Sequence, residues 1–176
     1  MASFEFFAII LTGLGLSASI LYYSLTIQNQ NKNRRLQIVK EIWDWISTEE
    51  GYRKFIQLMT MTWTDYEGFQ RKYGGLSNPE AYAMRFSVWS KMNGLGYMVK
   101  EGAIDINTVY DHSAGRIIWM WKKFESVIVR QREELSAGYL FKWWEYLAGE
   151  LVKEAEKRGE LLKYPSIFSS TSGDIP

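Results

Sequence analysis

The most prominent pattern along the chain is an unbroken apolar stretch. Phe6 to Ile27 is a run of about 22 residues, and no charged side chain occurs between Glu5 and Lys32. As an α-helix this run is roughly 33 Å long, enough to cross the hydrocarbon core of a bilayer. No later stretch comes close to it. The helix is not expected to end at the lipid edge. Residues 28 to 35 contain no Gly or Pro, and Leu36, Val39, Trp43 and Ile46 resume at helical spacing. The pattern predicts one long helix to about Ile46.

Further on, cap signatures and periods near 3.6 divide the chain into more helices. Ser47 with Glu50 three residues later reads as a capping box for a helix to about Thr62, with Tyr52, Phe55, Ile56 and Met59 facing inward. Thr64 to Glu67 repeats the signature and starts a short helix ending at Gly74-Gly75. Ser77-Asn78-Pro79-Glu80 is a start signal, with Pro in the first turn where its missing donor costs nothing. The helix from Pro79 carries Ala81, Met84, Val88, Met92, Leu95 and Val99 on one face, is weakened or bent at Gly94 and Gly96, and ends at Glu101-Gly102. Asp105 reads as the cap of a short helix through Tyr110, followed by a long one from about Ser113 to Glu134 with Ile117, Met120, Trp121, Phe124 and Ile128 inside. Ser136 is expected to cap the last helix, where Leu140, Trp144, Leu147, Leu151 and Ala155 align opposite Lys142, Glu145, Lys153 and Glu156. After Gly159 the periodicity decays into a tail, either mobile or laid over a partner.

The expected fold class is therefore all-α: one N-terminal transmembrane helix running into a cytoplasmic antiparallel bundle of about five to six helices, with an irregular tail. The corresponding divisions are residues 1–30, 31–159 and 160–176. The part outside lipid, about 145 residues, is one domain's worth of chain. Eight Trp, eleven Tyr and nine Phe with only three Pro favour long helices over a turn-rich β fold.

Charge decides orientation. Lys32, Arg34, Arg35 and Lys40 follow the span and no basic side chain precedes it. The positive-inside rule places the N-terminus outside the cell membrane and the C-terminal domain in the cytoplasm, with the four basic residues as an inner-leaflet anchor. A cleaved signal would have a basic start and a shorter apolar centre, so an uncleaved single-pass anchor is expected. Within the span, Ala8, Thr12, Gly15, Ser19, Tyr22 and Thr26 recur at alternating spacings of four and three, forming one stripe of mostly small residues. Such a stripe admits a second helix closely, from another membrane subunit or a second copy; filler in a lone span is the alternative.

Candidate chemistry is thin. Cysteine is absent, which removes disulfides, thiol catalysis and cysteine metal sites together. The single histidine, His112, cannot supply a paired Glu-x-x-His di-iron set or a two-His zinc site within one chain. It is expected to cap or pack between two helices. Asn93-Gly94-Leu95-Gly96 has no preceding strand and no Lys to make a phosphate loop. Net charge is +1, so no nucleic-acid partner is expected, and no cofactor or metal. Glu41, Asp44 and Glu145 are placed to pair with Arg116 or Arg130, as structural rather than catalytic contacts. Trp143 and Tyr146 flank the inner stripe of the last helix. Either they pack half-buried or they offer a partner surface, together with Arg116, Arg130 and Arg132.

The exit Asn29 to Arg35 leading into Leu36-Gln37-Ile38-Val39 and Trp43, then Asn93 to Val99, Gly102 to Asp105, Val109-Tyr110-Asp111, Trp119 to Arg132 and Trp144 to Leu147 form a recognisable series. It resembles a domain-of-unknown-function family of single-span, membrane-anchored helical proteins, over the chain to about Glu156. The resemblance implies an α-helical fold and membrane attachment, and it carries no activity to transfer. Together these readings give a non-enzymatic scaffold or accessory subunit of a membrane complex. The alternative is a membrane-tethered sensor or defence effector binding a small ligand or phosphorylated partner through Arg116, Arg130 or Arg132. Clustering of those arginines on one concave surface would favour the alternative.

Overall fold

A computed structural model describes residues 2–160 and 162–169; the side chains of 2–3, 35–36, 38–39, 41–46, 167 and 169 lie outside the described set. Arg35, Leu36, Val39, Glu41, Trp43, Asp44 and Ile46, which carried expectations above, are therefore placed only by backbone. All regular structure among the described residues is helical: α1 (Ala2–Ser47), α2 (Glu49–Met59), α3 (Tyr66–Tyr73), α4 (Pro79–Lys100), α5 (Ile106–Glu134), α6 (Lys142–Arg158) and the single turn α7 (Ser166–Ser169). The chain divides into two compact units, Met1–Glu41 and Ile42–Pro176. The lipid exit expected near residue 30 is a change in chemistry, whereas this division marks where tertiary packing begins, inside a continuous helix.

Local chemistry explains most helix starts. Thr48 accepts from Gly51 N at 3.1 Å and caps α2, one residue after the expected Ser47. Asp65 accepts from Gly68 N at 2.5 Å and Asn78 from Ala81 N at 3.0 Å, capping α3 and α4. Each side chain satisfies a donor that the first helical turn leaves open. Within α2, Phe55 and Met59 are buried as expected, but Tyr52 and Ile56 are exposed.

Two expectations are corrected between Asp105 and Trp144. First, Asp105 caps α5 through Asn107 N at 3.2 Å, and the helix then runs without interruption to Glu134. Ser113, read as a new start, is buried on the inner face of this one helix. With no Pro in the stretch, burial outweighs its preference for a cap. Second, Ser136 does not cap α6. It closes α5 at φ 50°, where Ser136 N bonds Glu133 O at 3.2 Å and Ala137 N bonds Arg132 O at 2.9 Å. This is a Schellman closure with serine where glycine is usual. Helix α6 begins after Phe141, which contributes no side-chain cap. Its cap comes from α4: Asn93 Oδ1 accepts from Trp143 N at 3.0 Å and from Trp144 N at 3.3 Å.

The core of the second unit lies where α4, α5 and α6 meet, with α4 packed most extensively on α6. Trp89, Phe124, Trp144, Leu147 and Leu151 are fully enclosed there. Trp89 bridges Phe124 at 5.0 Å, Phe141 at 5.4 Å and Trp144 at 6.0 Å between ring centres. Offset and edge-on aromatic contacts of this kind add to area burial. Helices α2 and α3 cover one side through Phe55, Leu58, Met59 and Phe69. The described tail is not free: Phe168 meets Phe55 edge-on at 6.0 Å, because an aromatic side chain there finds apolar surface on this chain itself.

Gly96 sets the spacing of α4 and α6. A Cβ on it would lie 1.9 Å from the Trp143 carbonyl oxygen, so only glycine lets the two backbones meet. A Cβ on Gly94 would touch nothing within 4 Å. Gly96→Ala is expected to cost more than about 3 kcal/mol in urea unfolding, by overpacking against backbone. Gly94→Ala is expected to be neutral or to gain up to about 1 kcal/mol from helix propensity. Equal effects of the two changes would refute the close-approach reading.

Candidate functional site

The first candidate surface is α1 itself. From Phe4 to Arg34 it is long and apolar enough to cross a membrane, and none of that stretch is buried within the structure. Its large apolar side chains from Phe4 to Ile27 are 44–80 % exposed. Four of its hydroxyls bond within the helix. Thr12 Oγ1 donates to Ala8 O, Ser19 Oγ to Gly15 O and Thr26 Oγ1 to Tyr22 O, each at 2.8 Å, and Ser17 Oγ to Gly13 O at 2.9 Å. Back-bonding to the preceding turn removes the hydroxyl donors that lipid could not solvate. A Cβ on Gly13 or on Gly15 would meet nothing within 4 Å. The stripe Ala8, Thr12, Gly15, Ser19, Tyr22 and Thr26 thus lies on an uncovered helix, with the Thr12, Ser19 and Thr26 hydroxyls occupied and its glycine open. Lys32, Arg34 and Lys40 follow it, exposed.

Surface cavities among the described residues of the second unit include the following pair. One, of about 440 Å³, lies along α5 and the end of α6, lined by Tyr110, Asp111, His112, Arg116, Trp119 and Arg158 among others. Its charges are tied to one another. Arg158 donates from Nε to Glu154 at 2.8 Å, from Nη1 to Asp111 at 2.5 Å and from Nη2 to Asn107 at 2.7 Å, while its guanidinium lies 4.2 Å from the centre of the Tyr110 ring. Glu154 and Asp111 together raise the Arg158 pKa above its usual range. Tyr110 donates to Glu160 at 2.8 Å; burial, then that carboxylate, pushes its phenol up. His112 lies within α5 rather than between two helices, exposed, with Nδ1 3.1 Å from Thr108 O. The expected helix break does not exist, so there is no end for it to cap.

The second cavity, of about 410 Å³, lies between α3 and the end of α5, where Tyr66, Gln70, Arg71, Arg130, Glu133 and Glu134 meet. Tyr66 donates to Glu134 and accepts from Gln70 Nε2 at 2.7 Å; burial and the Glu134 bond raise its pKa.

The three arginines do not share a surface. Arg116 lines the first cavity, half-buried, with Nη2 donating to His112 O at 3.3 Å and its guanidinium 6.0 Å from the centre of the Tyr52 ring; burial lowers its pKa. Arg130 lines the second cavity and pairs with Glu133 at 3.1 Å. Arg132 braces the α5–α6 turn, donating to Leu140 O at 2.8 Å and to Glu145 at 2.7 Å. Glu145, placed in the sequence beside Arg116 or Arg130, serves Arg132 instead. Trp143 and Tyr146 are half-buried, and α4 brings Tyr97 against them, ring centre 5.7 Å from that of Trp143.

Two buried cations escaped the sequence reading. Arg85 has no exposed surface. Its guanidinium is 4.4 Å from the centre of the Phe69 ring, 4.9 Å from Trp89 and 5.2 Å from Tyr82, and Nη1 donates to Tyr73 O, the last carbonyl of α3, at 3.2 Å. Cation–π attraction and the negative end of α3 hold the charge, but burial still pushes its pKa down to about 10. Lys123 is 3 % exposed, its Nζ 5.1 Å from the centre of the Trp63 ring and without a hydrogen-bond partner among the described residues. Burial pushes its pKa down to about 8. The available signal was position: Arg85 and Lys123 fall at inner-face spacings from Val88 and Met92 and from Met120 and Val127. Among the described residues, no cluster of three or more His, Asp or Glu could hold a metal ion.

No protein-family model, curated protein or solved structure matches this chain.

Lys123 makes stability depend on pH. Its folded pKa, about 8, lies below the ordinary 10.5, so the fold favours the neutral amine and the charged form destabilises it. Below pH 8 the full cost applies, roughly 3 kcal/mol, and stability should rise as pH climbs from about 8 toward 10.5. Lys123→Met should be more stable than wild type at pH 7, with the gap closing by pH 10 in chemical-denaturation curves. A gap that does not change over that range would show that Lys123 does not titrate as described.

Proposed function

We propose that this protein is a single-pass membrane protein without enzymatic activity, acting as a helical scaffold or accessory subunit in a larger membrane complex. The observation that carries this reading is the uncovered surface of α1. A soluble protein's core helix would be enclosed by its own fold, but 31 residues of α1 from Phe4 to Arg34 have no cover. Leaving that many large apolar side chains in water is costly, at about 25 cal/mol for each Å², and lipid removes the cost. The basic residues after the span favour an outside N-terminus and a cytoplasmic bundle.

Within the bilayer, the stripe from Ala8 to Thr26 is the contact for a partner helix. Because the Thr12, Ser19 and Thr26 hydroxyls bond to their own backbone, association at these positions rests on close van der Waals approach rather than hydrogen bonds between helices. The sensor reading receives less support, since Arg116, Arg130 and Arg132 are engaged in three separate places.

Alkaline carbonate should leave the full-length, unprocessed chain in the membrane pellet, and protease added outside sealed cells should spare the bundle. Release into the supernatant would overturn the anchor. Native electrophoresis should show a complex well above the 20.6 kDa chain with its detergent. Gly15→Leu should disperse that complex by at least about tenfold in apparent affinity, while Gly13→Leu, off the stripe and equally unobstructed, should not. Dispersal by both, or by neither, would remove the stripe from the mechanism.

A further inference from the structure

A strip of aromatic rings lies across the junction of α4 and α6. Tyr97 and Trp143 have ring centres 5.7 Å apart, and Trp143 meets Tyr146 edge-on at 6.3 Å. Lys142 Nζ stands 4.6 Å from the centre of the Trp143 ring, and Lys100 Nζ 5.5 Å from that of Tyr146. Tyr97 is 48 % exposed, and both lysines are exposed. The acids around the strip are Glu145, bound to Arg132 at 2.7 Å, Glu150, bound to Lys153 at 2.7 Å, and Glu101 at the end of α4. Neither Lys100 nor Lys142 forms an ion pair among the described residues, so both ammonium charges remain for an outside partner.

Three properties select the kind of partner. No large aliphatic side chain is exposed on α4 or α6 among the described residues; Ile56, Leu76, Val129 and Leu135 are exposed on other elements. The core of a protein interface favours aromatic rings but is depleted in lysine, and here Lys100 and Lys142 stand on the rings themselves. The faces of Trp143 and Tyr146 already hold the chain's own ammonium groups, so the rings are not a cage for an external cation. Indole and phenol edged by lysine is the combination that settles at the headgroup level of a bilayer.

We propose that the Tyr97–Trp143–Tyr146 strip, with Lys100 and Lys142, rests on an anionic lipid surface and fixes how the bundle meets the membrane. The inference rests on the anchored reading of α1, which keeps a bilayer at high effective concentration, so a weak contact suffices. Each lysine beside an anionic surface strengthens the contact about fivefold, and the rings set its depth.

The chain has no cysteine, so single-cysteine variants can each carry one fluorophore. Gly149→Cys reports from the lysine-bearing side of α6, where an added Cβ meets nothing within 4 Å. Glu125→Cys reports from the exposed side of α5, and Leu14→Cys from α1. The full chain is placed in nanodiscs of phosphatidylcholine with or without about 30 % phosphatidylserine, carrying nitroxide lipids that quench at the headgroup or in mid-acyl chain. Leu14→Cys should be quenched by the mid-chain nitroxide in every disc. Gly149→Cys should be quenched by the headgroup nitroxide about twofold more than Glu125→Cys with phosphatidylserine, and equally without it. Adding Lys100→Gln with Lys142→Gln should abolish the difference. Equal quenching at Gly149→Cys and Glu125→Cys in anionic discs, with Leu14→Cys quenched, overturns the strip alone. So does shielding of Gly149→Cys that arises only when another protein co-purifies. An unquenched Leu14→Cys overturns the anchor, and the strip falls with it.

Discussion

The bundle depends on one contact between two backbones. At Gly96 the α4 chain approaches so closely that the Trp143 carbonyl occupies the place a side chain would take. The same approach brings Asn93 Oδ1 within reach of the Trp143 amide, and of the Trp144 amide, which it shares with Phe141 O. The two effects support each other: the close pass positions the cap, and the cap gives the Trp143 amide the partner that the first turn of α6 does not. Trp89, Phe141 and Trp144 then fall into edge contact, and the aromatic core follows from that spacing.

The two units handle their polar groups differently. In the second, several charged side chains pair across elements, as with Arg158 to Asp111 and Arg132 to Glu145, while enclosed atoms such as Lys123 Nζ and Trp89 Nε1 have no hydrogen-bond partner among the described residues. In the first, pairing is local: hydroxyls return to the carbonyl one turn back, and the apolar side chains face outward. That inversion of the usual inside-out arrangement is what a low-dielectric surrounding calls for.

What could be read from sequence follows the range of each interaction. The caps at Asn78 and Asp105 were legible, and those of α2 and α3 to within one residue (Thr48 for Ser47, Asp65 for Thr64), because side chain and amide are two or three residues apart. The long apolar helix α1 was legible because hydropathy and helical continuity are properties of one stretch of chain. The single α5 was not, because Ser113 looks like a cap until its burial by other helices is known. The start of α6 was missed for a similar reason: its cap lies 50 residues upstream, on α4. Trp143 and Tyr146 were singled out from their own helix, but Tyr97 joins them only through the α4–α6 packing. Arg116, Arg130 and Arg132 looked like a set because they are near in sequence. Helical geometry and partners such as Glu145, across a turn, send them to different surfaces.

Arg85 has a consequence for how the bundle assembles. Its charge lies among three rings contributed by α3 and α4, and its one hydrogen bond goes to the final carbonyl of α3. With α4 docked and α3 absent, a guanidinium would face the core without that carbonyl or the Phe69 ring. The third helix thus supplies both the cover that takes this charge out of water and two of the contacts that hold it, so its docking is tied to the side chain of its larger neighbour. A seemingly peripheral eight-residue element thereby becomes part of the cooperative folding unit.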